Sequence, residues 1–174
     1  EKIPISSYKN QIEKVQNKLS NTNVQGLWVG QPTNIFYLTG FFHTPTERPV
    51  VLFIPVTGNP VLYVPFMEFE EAKRIGTVED VRHYFEYPGK THPLVWMAED
   101  IQQTYRGLNH LLIDGTGLML DILAETHSPV DLQSTSLVTE MRLLKDEEEI
   151  ELLTHAAKYG DAIVHHGMKV ASEG

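Results

Sequence analysis

Two runs rich in β-branched residues, 50–56 and 61–64, flank Thr57-Gly58-Asn59-Pro60, and no other stretch limits the fold so tightly. Gly and Asn tolerate positive φ and Pro cannot sit in a central strand, so these residues read as the turn of a β-hairpin. A sheet is therefore the frame. Pro55 lacks an amide proton for a ladder, which predicts that the end of the first strand is unpaired or at an edge. Ahead of the hairpin, Ile35, Phe36 and Leu38 make a short helical turn that Gly40 ends. A polar loop with two prolines, residues 41–49, follows as an exposed leading edge.

The flanking chain alternates helix and strand. Ile5, Tyr8, Ile12, Val15 and Leu19 recur at spacings of three and four, the period of a helix burying one stripe. Residues 24–29 form a short apolar strand. Residues 68–75 carry Glu70 and Glu71 early and Lys73 and Arg74 late, an order that complements a helix dipole. Residues 78–85 read as a strand with Val81 and Tyr84 or Phe85 inward and Asp80, Arg82 and Glu86 outward. A loop over 87–93 leads to a helix marked by Leu94, Met97, Ala98 and Ile101. Residues 110–115 are a buried strand entering a glycine-rich turn, 118–126 a helix and 130–133 a last strand. The pattern predicts an α/β fold, a mixed sheet of about five or six strands with helices on both faces.

From Ser136 the sequence is helical, punctuated where Asp146 and Glu149 form a D-x-x-E capping signal. Ile150, Leu153, Ala157, Val164 and Met168 continue an apolar stripe with little left to pack on. We expect a domain over 1–135, a connecting helix and the first helix of a further domain over 136–174, and a longer parent protein.

Composition narrows the partners. Acidic side chains outnumber basic ones 23 to 14, a net charge of −9 that repels phosphate backbones, with no local basic cluster to offset it. Nucleic acid is excluded as a partner. No apolar run reaches the roughly 18 to 20 residues a bilayer requires, and no membrane association is expected. The absence of cysteine rules out disulfides and thiolate sites and fits a cytoplasmic protein.

Chemistry-bearing patterns are sparse. His43, Glu47 and Arg48 share one loop, where a His beside a carboxylate could transfer protons. The plainer reading is a solvent-exposed loop anchored by Pro45 and Pro49. Adjacent Phe41 and Phe42 at the mouth of a turn call for a partner, another subunit or a ligand. His165 and His166, about 100° apart on a helix, are poorly placed to share a metal, and Asp114-Gly115-Thr116-Gly117 reads as a strand-to-helix turn before it reads as a phosphate cradle. Glu147, Glu148 and Glu149 suit a helix start. No catalytic residue and no metal ligand is assigned.

Three segments nevertheless resemble the amino-terminal domain of the creatinase/prolidase/aminopeptidase P family. They are Thr33-Asn34-Ile35-Phe36-Tyr37-Leu38-Thr39-Gly40-Phe41, the step Glu47-Arg48-Pro49, and Met141-Arg142-Leu143-Leu144-Lys145-Asp146-Glu147-Glu148-Glu149-Ile150. The resemblance is strongest to Xaa-Pro dipeptidases and implies a ribonuclease H-like α/β domain ahead of a pita-bread metallopeptidase domain. That second domain would hold two divalent ions (Mn, Co or Zn) and cleave peptide bonds next to proline. The resemblance further implies a homodimer in which the loop after Gly40 reaches the neighbouring active site, making Phe41, Phe42 and His43 candidates for substrate gating in trans.

Two other readings stay open at this point. The parent could carry creatinase-type amidinohydrolase chemistry, or the chain could be a protein-binding module from a catalytically inactive relative, of the sort that binds histones. A free-standing hydrolase built on His43 and Glu47 would lack an oxyanion site.

Overall fold

Six strands form one sheet in the computed structural model, which describes residues 3–86, 89–115, 121 and 130–172. The strands are β1 (Gly26–Val29), β2 (Val51–Pro55), β3 (Val61–Pro65), β4 (Asp80–Tyr84), β5 (His110–Asp114) and β6 (Asp131–Ser134), in the spatial order β4-β3-β2-β1-β5-β6. Only β2 runs against its neighbours; the other pairings are parallel. The mixed α/β sheet anticipated from the alternation is present.

The hairpin turn places Gly58 at φ 102°, which a β-carbon would strain. α1 (Ile5–Leu19) reaches across it: the Gln16 amide donates to the carbonyls of Pro55 and Gly58, at 2.9 and 2.8 Å. Pro55 is not at an edge, since it pairs with Gly26 inside the sheet. Its side facing β3 is nonetheless free of the ladder. The Val56 amide bonds to Gln25 on the β1 side, so the Pro55 nitrogen faces β3, where pairing has already ended at Phe53 and Val61.

Both faces are covered. On one, α4 (Pro93–Thr104) buries Leu94, Met97 and Ile101 against Trp28, Phe53, Tyr63 and Ile113. The His92 ring accepts the Leu94 amide and caps this helix. On the other face lie α1, α2 (Pro32–Thr39) and α3 (Phe69–Ile75), the last entered through a 3₁₀ turn at Phe66–Glu68. Alternate strand residues Leu27, Val29, Leu52, Ile54, Leu62 and Val64 are buried there together with Ile12, Val15, Ile35 and Leu38. Each such side chain contributes about 1.5–3 kcal/mol by leaving water.

Polar contacts lock the helices to the sheet. Asn34 of α2 donates to the Asp114 carboxylate at 2.6 Å, and the Gly30 amide bonds the Asp114 carbonyl at 2.6 Å. Asp100 of α4 accepts Tyr63 Oη at 2.7 Å and the Arg82 guanidinium at 2.5 Å, while Arg82 also forks onto Asp80. Burial, reinforced by Asp100, holds the Tyr63 phenol far above the ordinary tyrosine range.

β4 is shorter than the alternation suggests, and Tyr84 is the inward aromatic while Phe85 is exposed. The helix expected over 118–126 lies outside the described residues, apart from Asp121.

The chain divides into two units, Glu1–Val138 and Thr139–Gly174. The second holds α6 (Glu147–Ser172, 26 residues), preceded by α5 (Leu137–Leu143), which spans the boundary. The capping box at α6 is formed in both directions: Glu149 accepts the Asp146 amide at 2.9 Å and Asp146 accepts the Glu149 amide at 3.0 Å. Its Ile150, Leu153, Val164 and Met168 are exposed. Among the described residues no helix is long and apolar enough to cross a membrane.

Candidate functional site

The loop after α2 is built from its two anchored ends. Gly40 closes the helix at φ 70°, its amide bonding the Phe36 carbonyl at 2.7 Å. A β-carbon there would lie 2.8 Å from Cζ of Tyr8, so glycine is demanded by φ and by the close ring alike. The Thr39 hydroxyl donates to Ile35 at 2.7 Å and accepts the Phe41 amide at 3.0 Å, turning the chain inward, and the Thr77 hydroxyl bonds the Thr39 carbonyl. At the far end the Arg48 guanidinium pairs with Glu86 at 3.3 Å and Tyr84 Oη donates to the Pro49 carbonyl at 3.0 Å.

Between these anchors Phe41, Phe42 and His43 alternate inside, outside, inside. Phe41 is 1% exposed and His43 9%, whereas Phe42 is 69% exposed. This corrects the picture of a wholly exposed leading edge: Thr44, Pro45, Thr46 and Glu47 are at the surface, but Phe41 and His43 fill the interior. The His43 ring stacks on Phe41, its Nδ1 is buried without a hydrogen-bond partner, and burial pushes its pKa below the usual histidine value. Phe42 stands edge-on to Phe36, with centroids 5.9 Å apart and planes at 87°.

The acid–base pair offered by the loop does not assemble, because His43 meets Phe41 while Glu47 reaches Arg48 at 3.9 Å. His165 and His166 are exposed on α6, and among the described residues no group of three His, Asp or Glu side chains could hold a metal ion. Asp114 is buried and committed to Asn34, while Thr116 and Gly117 lie outside the described residues. What the loop presents is an aromatic step, Phe36 with Phe42, on a scaffold fixed at both ends. Phe36 is the member the sequence reading did not single out. Its signal was positional, since Ile35, Leu38 and Thr39 form the buried stripe of α2 and Phe36 falls off it.

Residues 11–143 match the family model of the creatinase/prolidase N-terminal domain, most of the chain's length. The chain belongs to that family. An uncharacterized peptidase of Staphylococcus haemolyticus is 30% identical over 169 residues, covering 94% of this creatinase/prolidase N-terminal domain chain and 45% of the relative. The chain thus spans about half the length of the relatives it matches. A prolidase structure from Thermococcus sibiricus superposes with a TM-score of 0.77 at 26% identity, covering 97% of this chain and 45% of that one. A proline dipeptidase structure from Streptococcus pneumoniae gives 0.64 at 25% identity, over 78% of this chain and 98% of the other.

Proposed function

We propose that this chain is the non-catalytic amino-terminal domain of a proline-directed metallopeptidase, an Xaa-Pro dipeptidase or aminopeptidase, and that it serves assembly and the shaping of a neighbouring subunit's active site. Membership of the creatinase/prolidase family and the likeness to prolidase structures support the parent activity. Two divalent ions, Mn, Co or Zn, would be held in the part of the relatives' length that this chain does not span.

The observation that carries the role of the domain is Phe42, 69% exposed yet backed by Phe36 on a loop pinned at both ends. A large apolar side chain presented outward in this way is suited to contact a substrate or an adjoining subunit and to displace water there. Phe41 and His43 take part as the buried footing that holds Phe42 outward.

The test is made in the longer protein with Xaa-Pro peptides. Losing an apolar contact of this kind is worth roughly 1–3 kcal/mol, so Phe42→Ala should lower kcat/KM by about tenfold or more while leaving the fold intact. Unchanged kinetics would overturn the gating role, and an inactive parent carrying a full set of metal ligands would overturn the peptidase reading.

A further inference from the structure

The outer side of β4 is a free edge of the sheet: β3 pairs with its inner side over five residues in unbroken register, and among the described residues no strand takes the other. Sheet edges are usually blunted by a proline, a bulge, a short strand or charged side chains. Asp80–Tyr84 contains no proline or glycine, and its Asp80 and Arg82 neutralise each other at 2.7 Å.

The order of charges here is self-complementary. Glu79 and Asp80 precede Val81, and Arg82 and His83 follow it. When two copies pair antiparallel about Val81, Asp80 faces Arg82 of the second copy, Glu79 faces its His83, and Val81 faces itself. Opposite charges directly across a strand pair are stabilising and like charges destabilising. Centring the pair one residue later sets arginine against arginine, so the order of charges favours the register about Val81, with Glu79 also near Lys9 at 3.6 Å and Arg82 held by Asp80 and Asp100 in its own chain. α3 repeats the motif beside this edge, with Glu70 and Glu71 in its first turn and Lys73 and Arg74 in its last. The same two-fold axis runs it antiparallel to its copy. Next to the edge, His83 is ringed by Phe66, Phe69 and Phe85 at 4.4–5.2 Å, and Phe66 and Phe85 are exposed, an apolar surface for a neighbour to cover. β6, the opposite edge, carries one acid, Asp131, and no base.

We infer that the β4 edge is a self-association site whose occupant is a second copy of this chain, joined antiparallel about Val81 into one continuous sheet with six strands from each copy. This rests on the assembly half of the function proposed above but places the contact away from residues 41–43.

The absence of cysteine makes the test direct, since Val81→Cys introduces a single thiol on the proposed axis. Cα atoms across an antiparallel pair lie about 4.5–5.5 Å apart, within the range a disulfide spans. Under mild oxidation the V81C chain should become a covalent dimer, at least about tenfold faster than a Thr57→Cys control on the exposed hairpin turn. Light scattering should show a dimer for the unaltered chain, and Glu79→Lys with Asp80→Lys, folded by circular dichroism, should weaken it by about tenfold or more. A monomer at every concentration, cross-linking no faster than the control, or a dimer indifferent to the double substitution would each overturn the inference. Because Phe42→Ala probes the loop and V81C the edge, either reading can fail while the other stands.

Discussion

The imidazole of His43 lies flat on the ring of Phe41, with centroids 5.9 Å apart and planes 16° from parallel. Burial lowers its pKa, so the folded chain resists the proton that the unfolded chain accepts below about pH 6.5. With the unfolded state binding more protons, stability must fall as pH drops through that value and level off below the folded pKa. His43→Leu removes this contribution. Thermal unfolding of both chains between pH 7.5 and 5 should show a smaller acid loss for the variant, and equal losses would contradict the buried, unprotonated ring.

Gly40 is the hinge on which that loop turns. Gly40→Ala demands a side chain at φ 70° and drives a methyl against Tyr8, at a cost of about 1–3 kcal/mol. Tyr8→Leu alone loses packing, yet combined with Gly40→Ala it opens space for the methyl. Urea unfolding should therefore show the double variant to be more stable than the sum of the two single losses; strict additivity would place the whole cost in the backbone.

Gly26 repeats the logic inside β1. A β-carbon there would meet the Phe53 ring at 2.8 Å, so Gly26→Ala should destabilise by roughly 1–3 kcal/mol. Phe53→Leu trims the ring and should recover part of that loss, although by itself it opens a cavity. Equilibrium denaturation of the two single variants and the double variant decides this. No recovery would mean that the nearby Ile54 carbonyl sets the limit instead.

The elements that were legible in the sequence are those whose causes are local. The helical stripe, buried at Ile12, Val15 and Leu19 though exposed at Ile5, the Gly58-Asn59-Pro60 turn and the Asp146–Glu149 box each lie within a few turns of chain, where local chemistry sets them. The burial within the loop is not legible because its causes are distant. Thr77 holds the Thr39 carbonyl and Glu86 holds Arg48, 38 residues away in each case by the numbering, so nothing near Phe41 or His43 announces their burial. Asn34 and Asp114, 80 positions apart, show the same limit: each reads as an ordinary polar residue until the sheet brings them together.

Asp100 offers the sharpest test of how α4 is held. Its carboxylate accepts both the buried Tyr63 hydroxyl and the Arg82 guanidinium. Tyr63→Phe deletes one neutral donor and should cost about 0.5–1.5 kcal/mol, leaving Asp100 and Arg82 paired. Asp100→Ala strands the Tyr63 hydroxyl as well as removing an Arg82 partner, and should cost about 1–3 kcal/mol or more. Once Asp100 is gone the hydroxyl is a liability, so adding Tyr63→Phe to Asp100→Ala should cost nothing further or return stability. A full double-mutant cycle by urea unfolding measures this coupling. Additive losses would show that Tyr63 Oη gains no more from Asp100 than from water, and would leave α4 held by Leu94, Met97, Ile101 and the Arg82 contacts.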